Sequence, residues 1–97
     1  MWVLKTTEGS ETDATFRLPP GSIKTIGRAI GADFIVEATM VSRVHCRLTA
    51  GAEEIELEDL DSTNGTFVNG KRIEGRMRVR SGDRIGVGRV ELEITNS

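Results

Sequence analysis

Phe67-Val68-Asn69-Gly70-Lys71-Arg72-Ile73 is the stretch from which the fold class is read. A type I′ hairpin turn needs positive φ at both central residues, and Asn-Gly tolerates that best, so the stretch reads as two short strands joined by a tight turn. Outward from the hairpin, apolar and charged residues alternate. Ile55 and Leu57 sit among Glu54, Glu56 and Glu58, and Val90, Leu92 and Ile94 sit among Glu91 and Glu93. Successive side chains of a strand point to opposite faces, so each run has one buried and one wet face. Strands are predicted over residues 2–6, 14–18, 23–26, 44–49, 54–58, 66–68, 84–87 and 89–95, with turn residues between them: Pro19-Pro20-Gly21, Gly31, Ala50-Gly51, Asn64-Gly65, Asn69-Gly70, Ser81-Gly82-Asp83 and Gly88. No window of a dozen residues keeps apolar positions at helical spacing without a glycine or proline interrupting it. The expected class is all-β, with two antiparallel sheets packed face to face as a β-sandwich.

Ninety-seven residues fit one domain, 1–97, large enough to bury a core without a metal or disulfides. The one cysteine, Cys46, has no partner in the chain, and the first residues lack the apolar core of a signal peptide. No apolar run approaches the roughly 18 residues of a membrane span. A cytoplasmic, or at least intracellular, soluble protein with no membrane contact is expected. The net charge of −2 argues against a general nucleic-acid binder, which needs a dense basic surface. Charge is nonetheless polarised along the chain: residues 1–61 carry six Lys/Arg against eleven Asp/Glu, and residues 62–97 carry seven against four. The acidic cluster of Glu53, Glu54, Glu56, Glu58, Asp59 and Asp61, and the basic one of Lys71, Arg72, Arg76, Arg78, Arg80 and Arg84, both read first as solvated surface.

Ser42 and His45 invite a hydrolase reading, but on an extended strand residues three apart face opposite sides. There is also no Gly-x-Ser-x-Gly elbow. One histidine beside one cysteine cannot supply a zinc ligand set, and no cofactor loop is present, so neither metal nor cofactor is expected. His45 is expected to hydrogen-bond backbone beneath a loop. Phosphate recognition calls for other groups: an arginine fork, hydroxyls and amides. Arg28, Ser42, Arg43 and Thr63 are such donors, each beside a predicted strand and so on a connecting loop, where binding groups are normally carried.

Gly27-Arg28, Ser42-x-x-His45, Ser62-Thr63-Asn64-Gly65-Thr66 and Val68-Asn69-Gly70, with the closing Ser81-Gly82-Asp83-Arg84-Ile85-Gly86-Val87-Gly88, resemble the signature of the forkhead-associated (FHA) domain over about residues 24–95. The resemblance implies an eleven-stranded β-sandwich that binds phosphothreonine peptides through loops at one end, as a non-enzymatic, monomeric interaction module in Ser/Thr kinase signalling. It assigns phosphate binding to Arg28, Ser42, Arg43 and Thr63, and the peptide main chain to Asn64. Gly27, His45 and Gly65 fall at structural positions: the glycine at 27 is expected to let its loop turn, and the histidine to brace the loop carrying Ser42. Flanking ligand side chains would be read by the variable loops. The rival reading is a phosphate-independent scaffold that associates through its sheet faces, with the charge polarity driving head-to-tail contacts.

Overall fold

The computed structural model describes residues 1–97 and contains eleven strands and no helix. They are β1 (Trp2–Thr6), β2 (Thr15–Leu18), β3 (Ile23–Gly27), β4 (Phe34–Ile35), β5 (Cys46–Ala50), β6 (Ile55–Asp59), β7 (Thr66–Val68), β8 (Lys71–Arg72), β9 (Arg76–Val79), β10 (Arg84–Val87) and β11 (Val90–Asn96). One sheet has the order β2-β1-β11-β10-β7-β8 and the other β4-β3-β5-β6-β9. All pairings are antiparallel except β3–β4, so the expectation of two purely antiparallel sheets is corrected at that edge. The Asn-Gly hairpin forms as read: Asn69 and Gly70 both have positive φ, and Phe67 and Val68 pair with Arg72 and Lys71.

Alternation builds the core. Ile55, Leu57, Leu92 and Ile94 are fully buried together with Trp2, Leu4, Leu18, Ile26, Leu48 and Ile85, forming one apolar cluster between the sheets. Trp2 keeps its indole satisfied by donating Nε1–H to the Gly51 carbonyl at 2.8 Å. At one corner the edge strands β2 and β4 are closed by Phe16 stacked on Phe34, centroids 4.7 Å apart.

Two strands escape the sequence reading. Phe34-Ile35 is too short to show a period. Arg76-Met77-Arg78-Val79 reads as a charged stretch until its partner is known: β9 pairs with β6 so that Arg76 faces Glu58 and Arg78 faces Glu56. The acidic and basic clusters thus meet within the chain. Arg47 and Arg76 bridge to Glu58, Arg76 also to Glu56, Arg78 and Arg80 to Glu54, and Arg84 to Glu91 and Glu93. Such exposed pairs are worth little stability each, but they cancel most of the polarity seen along the chain.

Strand direction places three loops at one end. β3 ends where β5, its antiparallel neighbour, begins; β6, next to β5, ends at that same side, and the chain then crosses to β7 in the facing sheet. The segments 28–33, 36–45 and 60–65 therefore converge.

Candidate functional site

Gly27 fixes the first loop against the second. It has no left-handed φ, so the expected turning role is corrected: what the position demands is space. A Cβ there would stand 2.1 Å from the Arg43 carbonyl oxygen, backbone against backbone. The close approach lets the Arg28 and Ala29 amides donate to the carbonyls of Ser42 and Arg43 at 3.0 and 3.1 Å, and the His45 amide to Ile26 at 2.8 Å. Arg28 then leans across the second loop, its Nε–H donating to the Val41 carbonyl at 3.0 Å. Both terminal nitrogens of the guanidinium are left for another partner.

His45 joins the second and third loops from below. It is fully buried, and its Nδ1 accepts the Ser42 amide at 3.0 Å. A backbone N–H can only donate, so the ring proton sits on Nε2, which donates to the Gly65 carbonyl at 2.8 Å. Residues 42–45 are loop, not strand, so Ser42 and His45 are not held on opposite faces of a strand, and strand geometry does not exclude a dyad. The tautomer does: the ring nitrogen nearest Ser42 is already engaged by its amide and cannot take the hydroxyl proton.

The third loop is held by a residue that sequence reasoning missed. Asp59 Oδ1 accepts the hydroxyls of Ser62 and Thr66 at 2.5 and 2.7 Å, and Oδ2 accepts the Ser62 amide at 3.3 Å. The Ser62 hydroxyl oxygen in turn accepts the Gly65 amide at 3.0 Å, and Gly65 has φ +90°, a conformation that favours glycine. The signal was available as an aspartate three residues before a serine and seven before a threonine, but Asp59 read as one more member of the acidic cluster. Partial burial pushes its carboxyl up, and the Ser62 and Thr66 hydroxyls with the Ser62 amide outweigh that and hold it below the ordinary carboxylate value. A carboxyl lowered in the folded state stabilises the fold above its unfolded pKa, about 3.9, and that contribution disappears as pH falls through the lowered value. Asp59→Ala is expected to cost about 1.5–3 kcal/mol at pH 7. In urea melts the gap from the parent should narrow below about pH 4; a gap that does not change with pH would remove the charge from this role.

Two further contacts steady the second loop. Thr39 donates its amide and hydroxyl to Glu11 Oε2 at 2.6 and 2.7 Å, and these bonds hold the Glu11 carboxyl below its ordinary value. Asn64 Nδ2–H donates to the Met40 carbonyl at 3.1 Å. Met40 itself has φ +69°, uncommon for a side chain of its size, and the loop beneath it rests on Gly88, where a Cβ would come 2.6 Å from the Thr39 carbonyl oxygen.

These loops enclose an open cleft of about 690 Å³. Arg28, Ser42, Arg43, Thr63 and Asn64 all line it, with Ala38, Met40, Val41 and Val44 as its apolar part and Asp61 as its single carboxylate. Gly27, His45 and Gly65 do not reach it; they lie in the layer beneath. Neither Arg28 nor Arg43 belongs to any of the ion pairs that occupy Arg47, Arg76, Arg78, Arg80 and Arg84. The Ser42 hydroxyl oxygen accepts the Thr63 amide at 3.0 Å, which leaves its own proton to donate outward. Two uncommitted cations and hydroxyl donors facing one cleft can hold a small multivalent anion. Elsewhere Cys46 lies buried, its thiol pushed far up by loss of solvent, with no thiolate to offer as nucleophile or ligand. The chain has no helix long and apolar enough to cross a membrane.

The FHA domain family profile matches residues 24–88. Among curated proteins, the chain is 32% identical over 91 residues to the FHA domain-containing protein FhaB of Mycobacterium tuberculosis, covering 94% of this chain and 58% of FhaB. It is 37% identical over 78 residues to the ABC transporter ATP-binding/permease protein Rv1747 of the same organism, covering 80% of this chain and 9% of the transporter. The chain thus spans less than two thirds of either relative. Among solved structures, the FHA domain of CT664 from Chlamydia trachomatis superposes with a TM-score of 0.90 at 26% identity, over 99% of this chain and 97% of that one. The FhaA FHA domain, solved in complex with the intracellular domain of Rv3910, gives 0.84 at 32% identity over 97% and 99%. A structure from a study of phosphothreonine-dependent FHA domain interactions gives 0.86 at 31% identity over 99% and 96%. With the profile covering well over half of its residues and the two-sheet sandwich shared throughout, this chain belongs to the FHA domain family.

Proposed function

We propose that residues 1–97 act as one interaction domain that binds an extended phosphothreonine segment of a partner protein in the 690 Å³ cleft, in the setting of Ser/Thr kinase signalling inside the cell. The observation that carries the proposal is the convergence of Arg28, Ser42, Arg43, Thr63 and Asn64, from three separate loops, on one cleft whose two arginines have no acidic partner. Arg28 would grip the phosphate with its two terminal nitrogens, Ser42 and Thr63 would donate hydroxyl protons, and Arg43 would neutralise the remaining charge. Asn64, anchored by Nδ2 to Met40, has Oδ1 left to accept an amide of the ligand main chain. The same bond makes Asn64 part of the rigid rim. No chemical step is assigned to the chain, because the Nδ1 of its one histidine is committed to the Ser42 amide. Head-to-tail association through the charged sheet faces is disfavoured by the ion pairs that already join Glu54, Glu56 and Glu58 to Arg76 and Arg78 within the chain.

Fluorescence anisotropy with matched phosphothreonine, phosphoserine and unmodified peptide libraries tests this reading. Burying one methyl against the apolar lining is worth about 0.8–3 kcal/mol, a preference for phosphothreonine over phosphoserine of roughly 4- to 150-fold. The unmodified library is expected not to bind. Equal binding of all three would sink the reading. Asn64→Ala is expected to lose one buried ligand hydrogen bond, about 1–3 kcal/mol or roughly 5- to 150-fold in affinity, with a melting temperature within a few degrees of the parent. A variant that unfolds instead, or binds like the parent, would refute the assigned role.

A further inference from the structure

The sandwich is closed at the β2–β4 corner by the Phe16–Phe34 stack, and it is open at the corner where β8 and β9 form the other edges. Arg76 and Arg78 take the outer face of β9, opposite Glu58 and Glu56, so Met77 and Val79 take the inner one. Val79 is fully buried, as an inner residue should be, yet Met77 is 46% exposed. The facing edge strand β8 is only two residues long, both exposed, and does not cover it. A groove of about 580 Å³ results, lined by Val68, Lys71, Arg72, Ile73, Arg76 and Met77, with Glu74 as its one carboxylate. None of these residues lines the phosphate-site cleft.

Charge at this corner is not balanced within the chain. Glu54, Glu56, Glu58, Glu91 and Glu93 are engaged with Arg47, Arg76, Arg78, Arg80 and Arg84, whereas Lys71 and Arg72 belong to no ion pair. The Arg72 guanidinium lies against Gly65, where a Cβ would come 2.7 Å from its Nε. The groove therefore holds two cations with no ion-pair partner, which exceed the one unpaired carboxylate, Glu74, by a single charge, together with an uncovered, conformationally adaptable methionine.

We propose that this corner is a second docking surface, independent of phosphate, for an acidic peptide segment carrying one long apolar side chain. The apolar group packs beside Met77 and Ile73, and the flanking carboxylates meet Lys71 and Arg72.

The test is an NMR titration of the chain, amides labelled with ¹⁵N and methionine methyls with ¹³C, using the capped, unphosphorylated peptide Asp-Glu-Leu-Glu-Asp. Saturable shifts of the Met77 methyl and the Ile73 amide are expected, retained in Arg28→Ala and lost when leucine is replaced by glycine in the peptide. Two exposed ion pairs are together worth a roughly 2- to 30-fold change in affinity, so Lys71→Gln combined with Arg72→Gln should weaken binding by that factor. Lys71→Gln alone, which leaves the Arg72–Gly65 contact intact, should give part of it. The proposal is overturned if Met77 and Ile73 do not shift, or if the glutamine variants bind like the parent. It is equally overturned if shifts occur only around Arg28 and Arg43 and vanish in Arg28→Ala, or if Met77 shifts with protein concentration before peptide is added, which would make a second copy the occupant. Failure here leaves the phosphothreonine reading untouched, since the probe carries no phosphate.

Discussion

Arg28→Ala is expected to lower affinity for a phosphothreonine peptide by roughly 30- to 5,000-fold, the result of leaving a desolvated phosphate without its arginine partner at a cost of about 2–5 kcal/mol. The fold should survive. The side chain is exposed and its one bond in the free protein, Nε–H to the Val41 carbonyl, is a net contribution of about 0.5–1.5 kcal/mol. Arg28→Lys separates charge from geometry. Lysine keeps the positive charge but cannot brace Val41 with one nitrogen while offering two more to the phosphate, so it should recover only a minor part of the loss. Anisotropy titrations of the three proteins, each checked by circular dichroism, give the comparison. A folded Arg28→Ala protein that binds within threefold of the parent would remove Arg28 from the phosphate site.

His45→Ala should act on stability first. Removing the ring strands the Ser42 amide and the Gly65 carbonyl, each previously satisfied by His45 within the protein. A buried polar group left unpaired costs about 1–3 kcal/mol, so the two together cost about 2–6 kcal/mol before any cavity is counted. A domain of this size has about 5–15 kcal/mol in all, and each kcal/mol moves its melting temperature by about 4–8 °C. A drop of at least 8 °C is therefore expected in a thermal melt, with affinity falling alongside because Ser42 and the Thr63–Asn64 segment share this one brace. A melt that overlays the parent would show that the imidazole does not hold the loops together.

Local pattern and long-range contact divide what the sequence reveals from what it hides. The glutamate-apolar alternation at 54–58 and 90–94 and the Asn69-Gly70 turn are determined by neighbours a few residues away, and the strands and hairpin form where these are read. β9 is different: Arg76-Met77-Arg78-Val79 becomes a strand because Glu56 and Glu58 stand opposite, some 20 residues earlier in the chain. Gly27 looks like a turn glycine until the Arg43 carbonyl is found 2.1 Å from where its Cβ would be. The cleft divides along the same line. The donors Arg28, Ser42, Arg43, Thr63 and Asn64 are recognisable by residue type and by their place beside strands. The parts that hold them are carried by tertiary contacts no local window contains: Asp59 beneath the third loop, Glu11 reaching Thr39, and the backbone of Met40 resting on Gly88. Charge read along the chain suggests a polarity that the fold largely removes, because Glu54, Glu56 and Glu58 lie against Arg76, Arg78 and Arg80.

The most direct measurement is an NMR titration of the ¹⁵N-labelled chain with a degenerate phosphothreonine peptide library, run against the same library after phosphatase treatment. Saturable shifts confined to residues 27–28, 38–45 and 61–65, absent with the dephosphorylated library, are the expected result. Identical shifts from both libraries, or phosphate-dependent shifts that leave Arg28, Ser42 and Thr63 unmoved, would contradict the assignment of the cleft to phosphothreonine.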